Sequence, residues 1–84
     1  MDLSAIESKL ESGNGLKIKY RYPIESGEYD REQRYGVRSD KLLDVSTELE
    51  RLYINFRGNI PIWVELDEVI EITPDDGLYL DFAE

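Results

Sequence analysis

The sequence predicts a mainly β domain, a small antiparallel barrel or strongly bent sheet of five to six strands with one short N-terminal helix. Three observations carry this. Apolar residues alternate with polar ones over short runs at 16–22, 52–56, 60–66 and 78–82, the period-two signature of half-buried strands. Turn-forming residues (Gly13-Asn14-Gly15, Glu25-Ser26-Gly27-Glu28, Gly58-Asn59, Pro74-Asp75-Asp76-Gly77) separate most of these runs. Only 39–50 is long enough to supply the helical crossover that parallel strands require, so an antiparallel arrangement is expected. With 84 residues the chain has material for one core, and 1–84 is expected to be a single domain.

The helix is expected over 2–12. Ser4 and Glu7 have capping-box spacing, and Leu3, Ile6 and Leu10 recur at three and four residues to form one apolar stripe. Gly13 then stops the helix, because glycine takes a left-handed conformation without a steric penalty. Two helical turns are marginal alone in water, so this helix must rest on the strands that follow.

The strands, expected over 16–82, come next. Leu16, Ile18, Tyr20 and Tyr22 share one face of the first strand, with Lys17, Lys19 and Arg21 on the other. Pro23 ends that run. Tyr29 to Arg38 is a second strand candidate, with Tyr29, Arg31, Gln33, Tyr35 and Val37 on one face. Asp30 and Glu32 are expected to pair across the hairpin with the basic stripe of the first strand. In 39–50 neither period fits Leu42, Leu43, Val45 and Leu49, and the stretch reads as a loop with an extended piece or one helical turn. Leu52, Ile54 and Phe56 mark a third strand, and Gly58-Asn59 a hairpin turn in which both residues tolerate positive φ. Ile62, Val64 and Leu66 point inward from the fourth strand, with Trp63 and Glu65 outward. Leu66 to Val69 reads as a single 3₁₀ turn, after which Ile70 and Ile72 alternate around Glu71. Leu78, Leu80 and Phe82 form a last short strand whose edge is open to pairing with a second copy, so a homodimer is allowed. Tyr20, Tyr22, Tyr35, Phe56 and Phe82 are expected in the core.

Composition narrows the chemistry. The chain has no histidine and no cysteine, which removes imidazole acid–base catalysis, thiolate nucleophiles and disulfides. It has no glycine-rich phosphate loop and no nucleophile elbow. Asp75-Asp76-Gly77 resembles the start of a calcium loop without the rest of that pattern, and is read as a turn. No catalytic residue, metal or cofactor is expected, and the protein is read as a non-enzyme. There is no apolar run near the roughly 20 residues of a membrane span and no signal-peptide pattern, so a cytoplasmic, non-membrane protein is expected.

The net charge of -9 is unevenly placed. From Gly58 onward there are eight acids and no lysine or arginine. Such a region opposes direct binding to a nucleic-acid backbone and attracts a basic protein surface. Glu65, Asp67, Glu68, Glu71, Asp75, Asp76 and Asp81 are the candidate acidic partner-binding residues, and Trp63, Tyr53 and Tyr79 the aromatic contacts, since buried Trp and Tyr dominate many interfaces.

The order of short helix, "LKIKYRY", a charged arm, "RLYINFRGN" and "PIWVELDEVIEI" resembles the Sm/SH3-like barrel of the WYL domain family over Leu3 to Ile72. Leu16, Ile18 and Tyr20 match that family's first-strand pattern, and Leu66 and Asp67 part of its Leu-Asp-Arg-Ile motif. Ile62 and Glu68 stand where the family has arginines, Arg51-Leu52-Tyr53 where it has its naming tripeptide, and no winged-helix DNA reader is found. The resemblance implies a small SH3-like or Sm-like barrel. It also implies the alternative function, a regulatory module sensing an anionic ligand or nucleotide, here through Arg31, Arg34 and Arg38. The leading expectation is an acidic protein-binding module or inhibitor, of which one version is a phage-type nucleic-acid mimic that blocks a defence nuclease (anti-CRISPR or anti-restriction).

Overall fold

A computed structural model of the chain describes residues 2–24 and 34–83. Helix α1 (Leu3–Glu11) is followed by β1 (Leu16–Ile24), β2 (Arg34–Ser46), β3 (Arg51–Phe56), β4 (Ile60–Glu65), β5 (Val69–Pro74) and β6 (Asp81–Ala83). The strands form one antiparallel sheet in the order β4-β3-β2-β1-β5, with β6 added to β2. The mainly β architecture expected from the alternating runs is the one the chain adopts.

The helix is capped two residues earlier than the Ser4/Glu7 spacing suggests. Asp2 is the N-cap, its Oδ1 accepting the Ser4 amide at 3.0 Å. Leu3 and Ile6 are buried, and Leu10 packs at the margin of the same core. The Gly13 amide donates to the Leu10 carbonyl as Gly13 turns left-handed at φ 86°.

β4 and β5 lie at opposite margins of the sheet, yet only the 3₁₀ turn Leu66–Glu68 separates them. Five strands laid flat would place those margins about 19 Å apart, while three 3₁₀ residues span about 6 Å. The sheet must therefore roll. Its concave side holds Leu16, Ile18, Tyr20, Leu42, Val45, Leu52, Ile54 and Val64, with α1 supplying Leu3 and Ile6 and the return of the chain supplying Leu66, Val69 and Ile72.

Two β-bulges explain where alternation failed. Residues 39–46 continue β2 instead of forming a loop: Leu42 faces Ile54 and Asp44 faces Tyr53, so the register shifts at Leu43. The extra residue leaves Leu42 and Val45 both buried with Leu43 and Asp44 exposed between them. A second shift between Lys19 and Tyr20 puts Ile72 opposite Ile18 and Val69 opposite Tyr20. Val69 and Ile72 therefore pack on the core, and Ile70 is exposed, against the expected Ile70/Ile72 pairing.

The faces of the second strand are also the reverse of those expected, although Val37, on the convex side, is still buried at 3% exposure where β6 pairs with it. Gly36, Arg38, Asp40 and Leu42 stand opposite Tyr22, Tyr20, Ile18 and Leu16 on the concave side. Tyr35 and Phe82, expected in the core, are exposed, and the Arg21 guanidinium lies 4.8 Å from the Tyr35 ring centre. The first half of that strand, with Arg31 and the Asp30 and Glu32 pairing, lies outside the described residues.

The three-residue β3–β4 connection has Gly58 and Asn59 at φ 69° and 61°, the positive φ values expected of them. β6 covers only Asp81–Ala83, shorter than the 78–82 run suggests, because residues 75–80 serve another purpose. β5 flanks β1 while β6 flanks β2, so the intervening chain must cross both strands. It crosses on the convex side: Lys17 Nζ donates to Asp76 and to the Leu78 carbonyl, and the Ser39 hydroxyl accepts the Leu80 amide. This strap accounts for Ser39, a convex-face residue only 1% exposed.

Candidate functional site

The predicted site residues do not form one face. They separate into an aromatic and acidic patch on β3–β4, and a charged junction where β3, β6 and β2 meet.

The patch is built by the β3–β4 ladder. Arg51 faces Glu65, Tyr53 faces Trp63 and Asn55 faces Pro61, all on the convex side because Leu52, Ile54 and Val64 occupy the concave one. The Tyr53 and Trp63 rings are 4.7 Å apart at 41°, and Trp63 remains 49% exposed. Leu43, pushed outward by the bulge, and Asp44 lie on the adjoining strand. Arg51 Nε meets Glu65 Oε1 at 2.9 Å, an exposed pair worth about 0–1 kcal/mol. Beyond it the chain turns through Asp67 and Glu68, held by the Leu66 amide donating to the Glu50 carbonyl at 3.0 Å. Glu50 and Leu49 complete a shallow notch with Glu65, Leu66 and Asp67. Burial, then the neighbouring charges of Asp67 and Glu65, raise the Glu68 carboxyl above the usual range. Those carboxylates are thus crowded enough to feel one another.

The other predicted acids lie elsewhere. Glu71 stands opposite Lys19 across β1–β5. Asp75 and Asp76 shape the start of the strap: Asp75 Oδ1 accepts the Gly77 amide and the Tyr79 hydroxyl, each at 2.9 Å, and Asp76 Oδ1 accepts the Leu78 amide. Asp76 also binds Lys17 at 3.0 Å, and these hydrogen bonds, the Leu78 amide first, hold its carboxyl below the usual range. Partial burial, reinforced by the bond to Asp75, pushes the Tyr79 hydroxyl up to about 12. Tyr79 is therefore part of the strap and not of the Trp63 patch.

Asp81 lies at the junction. β3 accompanies β2 as far as Lys41, and β6 takes over along the same edge from Arg38. Phe56, Arg57 and Asp81 meet where one strand replaces the other. The Arg38 guanidinium is sandwiched between the rings of Tyr22 (3.8 Å) and Phe56 (4.1 Å). Asp81 pairs with Arg57 and accepts the Tyr22 hydroxyl at 2.9 Å, with Arg38 Nε 3.6 Å from the same oxygen. At that distance Nε is an ionic neighbour and not a hydrogen-bond donor, and it is buried with no other partner.

Asp40 completes this junction from below. It accepts the Tyr20 hydroxyl at 2.8 Å. Burial raises its carboxyl above the usual range, opposed by Tyr20 and the charges of Arg38 and Arg57. Burial and the Asp40 carboxylate in turn push the Tyr20 hydroxyl upward.

Of the three arginines in the alternative reading, Arg38 is in this junction, Arg34 lies at the start of β2 opposite Ile24, and Arg31 is outside the described residues. Sequence reasoning did not single out Arg57, Asp40, Tyr22 or Ser39 as polar partners. The missing signal was the position of β6, since a three-residue strand added across a strap leaves no periodicity of its own.

Among the described residues no three acidic side chains gather as a cation site, and no helix is long and apolar enough to cross a membrane. Comparison of the chain with protein-family models, with curated proteins and with solved structures finds no match.

Proposed function

We propose that the protein is a non-enzymatic binding module that docks the convex β3–β4 face on a basic surface of another protein. The observation that carries this reading is the exposed Tyr53–Trp63 stack bordered by Glu65, Asp67 and Glu68. A half-exposed indole braced by a second ring is a rigid anchor that loses little side-chain entropy on binding. The carboxylates alongside would speed encounter with a Lys/Arg-rich partner and reject acidic ones. A nucleic-acid-binding site on a nuclease has this chemistry, with the carboxylates taking the place of phosphates, and a cytoplasmic setting accompanies such a role. Compared with the reading from sequence, the contact surface is narrower: Tyr53, Trp63, Glu65, Asp67 and Glu68, with Glu71, Asp75, Asp76 and Asp81 adding long-range field.

The test is co-purification of the intact protein from lysate at low and high salt. The expected partner is basic, is released by salt, and is lost with both Trp63→Ala and the triple change Glu65→Lys, Asp67→Lys, Glu68→Lys. Retention of every partner by the triple variant would exclude this reading.

A further inference from the structure

β4 is an end strand of the sheet: among the described residues it pairs only with β3. Which of its backbone groups face outward is fixed twice. Pro61 has no N–H to give, so opposite Asn55 it can stand only where the ladder asks for none. The Leu66 amide, five residues on, donates to Glu50 on the β3 side. Ile60, Ile62, Val64 and Leu66 therefore bond toward β3, while Pro61, Trp63 and Glu65 turn their backbone groups away from it. The open edge offers the amides of Trp63 and Glu65 as donors and the carbonyls of Pro61, Trp63 and Glu65 as acceptors. Edges are commonly guarded by bulges or by inward-pointing charge. This one has neither: its register on β3 runs without a shift, and its concave side chains are Ile60, Ile62 and Val64. Ile60 and Trp63 are left 61% and 49% exposed.

The neighbour that satisfies this edge is the same edge turned round. With a second β4 running antiparallel and Trp63 on the two-fold axis, Trp63 faces Trp63, Pro61 faces Glu65 and Ile62 faces Val64. Each Trp63 amide donates to the Trp63 carbonyl of the other copy, and each Glu65 amide to its Pro61 carbonyl, so every outward donor is used. Exposed Ile60 comes beside Leu66. An axis at Glu65 would set carboxylate against carboxylate, and one at Pro61 would have no donor at its centre. An axis at Ile62 uses only the Trp63 amides, and one at Val64 shares only residues 63–65. The charges agree with the Trp63 axis: Asp67 and Glu68 of one copy lie alongside the 57–59 connection of the other, where Arg57 is 68% exposed even while paired with Asp81.

We propose that the protein associates with a second copy of itself through the outer edge of β4, as a two-fold dimer with Trp63 on the axis. The two sheets join there, and both Tyr53–Trp63 stacks lie on one continuous convex surface. The dimer is a property of the purified chain alone, so it stands or falls separately from the basic partner proposed above.

The experiment is sedimentation velocity of the full-length protein across a concentration series reaching about 0.5 mM, in about 0.5 M salt to screen repulsion between two acidic chains. A reversible monomer–dimer equilibrium is expected, as suits a small interface, and a monomer throughout overturns the proposal. Trp63 is the sole tryptophan, so its emission should shift to shorter wavelength over the same series. A dimer that forms without that shift also overturns the proposal. Glu65→Pro tests the edge itself. Glu65 already has φ -70°, the value proline imposes, and its N–H is not used by β3. Glu65→Ala removes the same carboxylate and is the reference. Against it, Glu65→Pro takes one hydrogen bond per copy from the dimer and none from the monomer, so its dimer dissociation constant is expected to be about tenfold higher. Equal constants for the two variants overturn the proposal. Should Glu65→Pro not fold, the sedimentation and emission series of the unchanged protein still decide the question.

Discussion

The Tyr22 ring lies directly over the backbone of Gly36. The two residues are cross-strand partners in β1–β2, and a Cβ placed on Gly36 would fall 2.5 Å from Tyr22 Cζ and 2.6 Å from its hydroxyl oxygen. The glycine creates the depression in which the ring lies, and the ring in turn presents its hydroxyl to Asp81 and its face to Arg38.

Gly36→Ala should therefore act at a distance from its own position. The methyl group forces Tyr22 aside, with an overpacking loss of about 1–3 kcal/mol in urea denaturation. Amide exchange at Leu80 should rise as well, because Asp81 loses a donor. A variant with unchanged stability and unchanged Leu80 exchange would show that Tyr22 is free to move.

Glu50 supplies a stability gain. It has φ 53°, a left-handed conformation unfavourable for a side chain without a local hydrogen-bonding role, and its carbonyl already accepts the Leu66 amide. Glu50→Gly should preserve that bond and raise stability by about 0.5–1 kcal/mol in urea denaturation, the conformational relief exceeding the entropy glycine adds to the unfolded chain.

Tyr20→Phe removes the hydroxyl that Asp40 accepts. A buried carboxylate deprived of its donor should cost about 1–3 kcal/mol at neutral pH. The pH dependence follows from the raised Asp40 pKa. Between the unfolded value of 3.8 and that raised value the native state holds more protons than the unfolded one, so stability falls as pH rises through the window. Loss of Tyr20 raises the Asp40 pKa further. The deficit of Tyr20→Phe should thus be smaller near pH 4 than at pH 7, as measured by urea midpoints at the two values.

Asp76 has the opposite sign. Its carboxyl is held below 3.8 by the Leu78 amide and Lys17, so its contribution is present above that value and lost as pH falls through the depressed one. Asp76→Asn should destabilise the protein at neutral pH and flatten the acid limb of its stability profile. An acid limb as steep as that of the unchanged protein would show that the strap does not depend on this residue.

Much of the fold was legible because alternation in β1, β3 and β4 is uninterrupted and the Gly58-Asn59 turn requires residues tolerant of positive φ. Legibility ended where tertiary pairing overrides local pattern. At Leu43 and Ile70 a bulge adds one residue, which moves an apolar side chain to the exposed face while the strand continues. Tyr35 misled because an aromatic residue normally marks the buried face; here Gly36 leaves room for Tyr22 and the concave side accepts Arg38 between rings. For the candidate site, the outward Trp63 and Tyr53 could be read from period two alone. That Asp75, Asp76 and Asp81 are engaged with Tyr79, Lys17 and Arg57 could not, because these contacts depend on which side of the sheet the strap crosses.

The three-residue link between β4 and β5 has a kinetic consequence. The β3–β4 hairpin closes a short loop and can form locally, whereas β1 must find β5 across the interval from Leu16 to Pro74. Because Leu66–Glu68 ties β5 to the hairpin, docking β5 on β1 brings the hairpin to the other side of the core in the same event. The entropy of that long closure must be met before most of the apolar burial is gained, so folding should be slow for so small a chain, with a barrier set by this encounter and no populated half-rolled sheet.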